Sequence, residues 1–578
     1  MSYYDKSSLV LIPSGTKTSK VFSQKPTNGD GDFDFTRSTA ATRIAANGNI
    51  EKETSNLLTH SNGFLSWWSK PVSTITDGQA GYDGTNDASL LSKTAPTGYI
   101  TRSVSVSGVQ TFSVYAKKGS LNWTYIQVIG GSNPYAFFDL ENGGVGDLGG
   151  ANGITSAIET IGNGWYRCSL VFNESISSVR IYPADANNDV SGASGNIFIQ
   201  DAQINQGLVA QPYQETTTTA LYGGITDNVP RLDYTDSSCP ALLLEPQRTN
   251  LIPQSEYFGA WTNDELSIDS DFYDSPEGVS NANFLIPTTA SGIHKSRVDL
   301  SSVTGLYTQS VYAKQGGYKN LLVWEDSTSG GIGVNLDDLS IFRNQNNSGY
   351  NVEEVGNGWV RISVTHNFSA QLMLPSLYIY DNSATPAISY AGDGTSGIYV
   401  YGAQQEAGSY ATSYIPTYGA GVTRNADICN SSENSVLFNK TEGVLFLESS
   451  ALAEGTDRRI SISDGTFNNY VSIGYSRFTG NIVAEMVANG VLQTSDWGAT
   501  GVTQIDNNKF AFSWGGGTMK FYVNGVQRQT TSVTSPIGLD ILRFSAGNSS
   551  LRFIGETKQV LVFPTALSDA DLEILTGT

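Results

Sequence analysis

The side chains here whose type and setting suit chemistry are tryptophans and carboxylates. Trp497 stands between Asp496 and Gly498 in a polar loop. There an indole face is left free to stack on the apolar C–H face of a sugar ring. Trp67, Trp68 and Trp261 follow shortly after Asn56-Leu57-Leu58 and Asn250-Leu251-Ile252. They read either as ligand platforms at the start of a module or as packing residues. Trp165 and Trp359 each follow Gly-Asn-Gly and lead into strand residues, which reads as a tight hairpin turn aiming the indole into a core. Three acidic groups offer the hard oxygens that calcium takes, without EF-hand spacing: Asp83 with Asn86 and Asp87, Asp185 with Asn187, Asn188 and Asp189, and Asp337 with Asp338. No cofactor is expected beyond room for a structural calcium, and solvated loop acids are the competing reading. His60, His294 and His366 stand far apart, outside any metal motif, and no nucleophile elbow or phosphate loop occurs. Glu159, Glu353 and Glu354 read as solvent-facing strand charges. The expectation is a protein that is not an enzyme, with a polysaccharide depolymerase as the alternative.

The elements that must position these residues come in duplicate. Val114-Tyr115-Ala116-Lys117 recurs as Val311-Tyr312-Ala313-Lys314, and Trp165, Arg167 and Ser169 recur as Trp359, Arg361 and Ser363. Ala202-Gln203 matches Ala403-Gln404. A solenoid repeats every 20–50 residues or so; this spacing is far longer, so each copy is a whole domain. Apolar residues alternate along short runs bounded by Asn-Gly turns, and no window shows a helical stripe. The fold class expected is all-β: tandem antiparallel β-sandwich domains. The boundaries read as an N-terminal attachment strap over 1–55, module 1 over 56–220, a connector over 221–249, module 2 over 250–428 and a further sandwich over 429–578. The strap holds one apolar run, Leu9 to Ile12, too little for a core, so it needs a neighbour to pack on. A short helix is expected at the C-terminus, capped by Ser568.

Only 15% of residues are charged, and 33 basic against 54 acidic residues give a formal net charge of −21. That sign disfavours nucleic acid and anionic membrane as partners. Three dispersed cysteines supply neither a disulfide framework nor metal spacing. The N-terminus lacks the pattern of a secretory signal, and no apolar run is long enough to span a bilayer.

Residues 8–15 (SLVLIPSG), 34–43 (DFTRSTAATR), 230–252 (PRLDYTDSSCPALLLEPQRTNLI) and 414–427 (YIPTYGAGVTRNAD) together resemble tailed-bacteriophage fibre, spike or carbohydrate-binding-module-like virion proteins. The resemblance implies jelly-roll repeats. Residues 521–525 (FYVNG) and 562–568 (VFPTALS) imply a concanavalin/laminin-G-like C-terminal sandwich. It further implies a structural protein on the phage particle surface, made in the bacterial host cytoplasm. Other virion proteins would be met through the N-terminal segment, and host surface glycans through the distal modules. A homo-oligomer, with a trimer as the prior, goes with fibre relatives. A purely structural decoration without ligand is the blander alternative.

Overall fold

A computed structural model describes residues 2–577 except 236, 270, 434–435, 497–500 and 548–549. The chain is all-β, built from antiparallel sheets with a few short helical turns. It divides into two units: Met1–Lys52 with Ile225–Arg248 and Thr423–Thr578, and Glu53–Gly224 with Thr249–Val422. Five consecutive segments therefore do not describe it. The strap and the connector contribute strands to the C-terminal sandwich.

The second unit holds the two modules. In module 1 one sheet runs Gly153–Gly162, Trp165–Asn173, Val109–Lys118, Gly195–Gln206, Ala88–Lys93, Ser73–Gln79. In module 2 the order is Gly349–Gly356, Trp359–Leu372, Ser302–Gly316, Gly397–Ala407, Ser280–Pro287, Leu266–Ile268. The facing sheet runs Ile100–Val106, Ile176–Ala184, Trp123–Gly130, Tyr135–Asp139, Gly144–Gly149 in module 1. Module 2 matches it with Ser291–Arg297, Pro375–Tyr380, Asn320–Glu325, Gly330–Asn335, Ile341–Gln345, and adds Thr262–Asp264 at one edge.

The repeated residues explain why both copies close in the same way. Asn163 and Asn357 take φ 54° and 53°, each followed by a glycine at positive φ, as a type I′ turn requires. The turns deliver Trp165 and Trp359 into buried positions. Asn56 donates to the carbonyls of Ala202 and Gln214 and accepts from the Leu58 and Ile204 amides. Asn250 does the same with Ala403, Ile415, Ile252 and Gln405. Arg167 and Arg361 lie over Tyr115 and Tyr312, each 5.2 Å from the ring centroid, and donate to the Gln211 and Thr412 carbonyls. Between the modules the Val109 amide donates to the Tyr418 carbonyl at 2.8 Å. Gly108 is needed beside it: a Cβ there would lie 1.7 Å from that carbonyl oxygen.

The first unit is a sandwich of an eight-stranded and a nine-stranded sheet. Leu9–Leu11 pairs with Gly555–Phe563, and Phe33–Thr36 pairs with Ile428–Glu433. Leu9, Leu11, Phe33 and Phe35 share one core with Leu242, Phe510 and Phe521. The helix Asp569–Thr576 is capped by the Ser568 side chain accepting from the Asp571 amide. Three fully buried arginines join the three segments. Arg37 reaches Asp427 at 3.1 Å, Arg231 pairs with both Asp427 and Glu245, and Arg424 reaches Glu245 at 2.8 Å. Burial lowers the Arg37 guanidinium to about 10, with repulsion from Arg231 acting in the same direction and attraction to Asp427 against it. Removing one partner from such a network strands buried charge and costs about 3–5 kcal/mol.

Candidate functional site

In the five-stranded sheet of module 1, alternation sends Ile100, Ile126, Val128, Ala136, Phe138, Val179 and Ile181 into the core. The intervening positions face outward. A sheet face that met only water would carry short polar side chains; this one carries aromatic rings. Tyr125 stands opposite Tyr182 on one side and Phe137 on the other. Tyr99, just before its strand, lies beside Tyr182. The four rings form a row across the strands, with centroids 4.8 Å (Tyr99 to Tyr182), 4.6 Å (Tyr182 to Tyr125) and 4.5 Å (Tyr125 to Phe137) apart. Four strands at the usual spacing make the row roughly 14 Å long. The next row places Thr101, Arg180, Gln127 and Tyr135 side by side. Tyr99, Trp123, Tyr125 and Tyr135 are half-buried, while Phe137 and Tyr182 are buried among them.

Arg180 is a cation of this face; the carboxylate of Asp139, opposite Trp123 at its margin, accepts from the Glu141 and Asn142 amides. Its guanidinium stacks 4.6 Å from the Tyr99 ring centroid and donates to the Tyr182 hydroxyl at 3.3 Å. That hydroxyl donates to Gln127 Oε1 at 3.3 Å. Burial, then the neighbouring Tyr182 and Tyr135, push the Tyr125 phenol above its ordinary value. Burial also raises Tyr182, while Arg180 pulls it back. Both phenols therefore stay protonated; Tyr182 already gives its proton to Gln127, while Tyr125 can donate to a ligand.

The same positions in module 2 are filled differently. Tyr378 stands opposite Lys295 and Leu322, and Leu322 stands opposite Gly333, so one aromatic remains where module 1 has four. Trp324 occupies the next row beside Ser376, and Arg343 covers it, 4.4 Å from the ring. Lys295 pairs with Asp264 and Asp326, and Arg297 with Asp299 and Asp326.

No family model matches this chain, and no curated protein does. Among solved structures, the CBM40 of Ruminococcus gnavus IT-sialidase, alone and bound to alpha2,3 sialyllactose, is 17% identical with a TM-score of 0.22. The match covers 24% of this chain and 84% of that one. The LG1-3 region of the laminin alpha2 chain is 11% identical with a TM-score of 0.19, over 82% of this chain and 97% of that one. The sandwich fold itself rests on the strand pairing described above.

The tryptophans singled out from sequence lie apart from the aromatic row. Trp497 falls outside the described residues. Trp68 and Trp261 are corrected to packing residues: both are buried, and their indole N–H groups donate to the His60 and Gln254 carbonyls at 3.0 Å. Trp67 is exposed and stacks on His60 at 4.1 Å with rings 9° apart. Its segment borders the five-stranded sheet, where Ser69 bridges to Thr101. Among the described residues no group of three or more His, Cys, Asp or Glu can hold a metal ion. Asp83 and Asp87 accept from Thr85 and Gln200, Asp185 pairs with Lys93 at 2.5 Å, and Asp338 accepts from Ser340. His294 is buried with both ring nitrogens on backbone carbonyls, and burial lowers His366 to about 4. A cavity of about 300 Å³ in the first unit is lined by Cys429, Phe544, Phe553 and Arg552. It also includes Asp427, whose carboxylate is already held by Arg37 and Arg231.

The sequence reading missed the aromatic row because it looked for rings in loops. The available signal was Trp123-x-Tyr125 and Tyr135-x-Phe137: aromatic residues on the non-core phase of strands whose other phase is already apolar.

Proposed function

We propose that this chain is a non-catalytic glycan-binding protein and that a sugar chain lies along Tyr99, Tyr182, Tyr125 and Phe137 of module 1. The observation that supports this reading is an unneeded aromatic row on the outer face of a sheet whose core is complete without it. The half-buried Tyr99 and Tyr125 offer accessible ring edges for apolar contact with a pyranose above the buried Tyr182 and Phe137, and Gln127 and the Tyr125 phenol offer hydrogen bonds at the margins. The test is titration of the full chain with oligosaccharides from bacterial envelopes, followed by tyrosine and tryptophan fluorescence. Binding that Tyr125→Ala weakens tenfold or more is expected. Binding indifferent to Tyr125→Ala would refute the placement.

We further propose that the protein is a virion appendage, supported by the phage-like phrases at 8–15, 34–43, 230–252 and 414–427. Those phrases supply Leu9–Leu11 and the arginine network, so attachment to other virion proteins falls to the first unit as a whole. Many copies on one particle raise avidity without a tighter single site. Antibody labelling of purified particles tests this; unlabelled particles would remove the virion reading and leave the glycan reading standing.

A further inference from the structure

We propose that the ligand of the module 1 face is an acidic glycan and that Arg180 reads its carboxylate; this rests on the glycan-binding reading above. The argument is charge accounting. Arg180 forms no ion pair among the described residues, and its buried Nε has no hydrogen-bond partner. Among the described residues its only hydrogen bond is the one to the Tyr182 hydroxyl, at 3.3 Å. Its neighbours across the strands are Thr101 and Gln127, both uncharged. This is unusual company in a chain with 54 acidic residues against 33 basic ones. In module 2 the cations Lys295 and Arg297 on the matching face have carboxylates of their own.

A partly buried guanidinium without a counter-ion keeps its planar fork of donors for something else. A carboxylate is a group that fork fits, with two parallel hydrogen bonds. Stacking on Tyr99 fixes the plane of the fork. The ring row then holds the sugar body, and the carboxylate of a uronic-acid residue reaches the adjacent row. The overall charge of −21 does not forbid this. At physiological salt the screening length is about 8 Å, so remote acidic groups are largely silenced at the site.

The experiment uses the full chain and a panel of matched polysaccharide fragments: polygalacturonate, alginate and hyaluronan oligomers, each beside its carboxyl-reduced, neutral form. Sulfated and unmodified neutral oligosaccharides complete the panel. At least one native acidic oligomer should bind at least tenfold more tightly than its reduced form. Arg180→Gln should bring that ratio close to one, and Arg180→Lys should restore only part of it. Unchanged unfolding curves for both variants would show that the fold is intact. Tyr125→Ala should weaken both forms alike. Equal binding of native and reduced forms, a ratio unmoved by Arg180→Gln, or binding confined to sulfated or neutral oligomers would overturn the acidic-glycan inference while glycan binding stands. No binding to any member of the panel, with cell attachment untouched by Tyr125→Ala, would overturn both.

Discussion

Module 1 and module 2 have the same strand order and the same internal fastenings, yet their outer sheet faces share one aromatic position, Tyr182 against Tyr378. What repeats is scaffold: Asn56 and Asn250, and Arg167 and Arg361, hold matching loop carbonyls, and Trp165 and Trp359 are buried at matching strand starts. What differs is surface. Tyr99, Tyr125 and Phe137 in one module stand where Lys295, Leu322 and Gly333 stand in the other. Identity between internal copies therefore marks what closes the sandwich, and divergence marks where a ligand is to be sought. The motifs that first draw the eye are, for that reason, poor guides to the site.

The comparison is open to test from its largest expected effect downward. Trp165→Ala and Trp359→Ala should each destabilise their own module by about 3–5 kcal/mol in urea denaturation. Markedly unequal losses would break the equivalence of the two tryptophan sites. Next, Asp201 sits at φ 54° where module 2 has Gly402 at φ 61°. Burial raises its carboxyl to about 6, against hydrogen bonds from Tyr82 and Tyr213 that lower it. The folded value thus exceeds the unfolded one of about 3.9, so the native state holds the extra proton. Its stabilising contribution is full below about pH 4 and is lost as pH rises through about 6. Asp201→Asn keeps an acceptor oxygen and tolerates the left-handed backbone. It should stabilise the protein by on the order of 2 kcal/mol near pH 7 and by nothing near pH 3.5. A gain that does not vary with pH would remove Asp201 as its source.

A third substitution sharpens the contrast between the faces. Tyr125→Ala should lower glycan affinity about tenfold, or ~1.4 kcal/mol, whereas Leu322→Ala should leave it unchanged. Equal losses would mean that both modules bind. The smallest effect belongs to Arg343→Ala, which uncovers Trp324. Loss of that cation–π contact should cost module 2 about 0.5–1 kcal/mol by thermal unfolding. No loss at all would show that Arg343 merely rests on the ring.

The all-β class was legible because strand periodicity and Asn-Gly turns are local signals, and Asn163, Asn357 and Asn524 all take positive φ. The discontinuous sandwich was not. Leu9–Leu11 has apolar side chains but a partner strand at the far end of the chain, and no local pattern announces that pairing. Arg37, Arg231 and Arg424 lie in the phrases 34–43, 230–252 and 414–427, but their convergence on Asp427 and Glu245 depends on the fold. The aromatic row was hidden for the same reason. Tyr99, Tyr125, Phe137 and Tyr182 lie on separate strands, and only register makes them neighbours.

The pairing of Leu9–Leu11 with Gly555–Phe563 also sets a schedule for biosynthesis. Ser8 meets Val562, 554 residues further along the chain. At roughly 5–20 residues per second on the ribosome, that partner is made about half a minute to two minutes later. Both modules lie wholly between these strands and can complete their cores first. Meanwhile Leu9, Val10 and Leu11 trail from the nascent chain as an unpaired apolar strand. Full-length yield should therefore depend on a holdase that covers the N-terminus until termination, while a fragment of 53–224 should be indifferent to it.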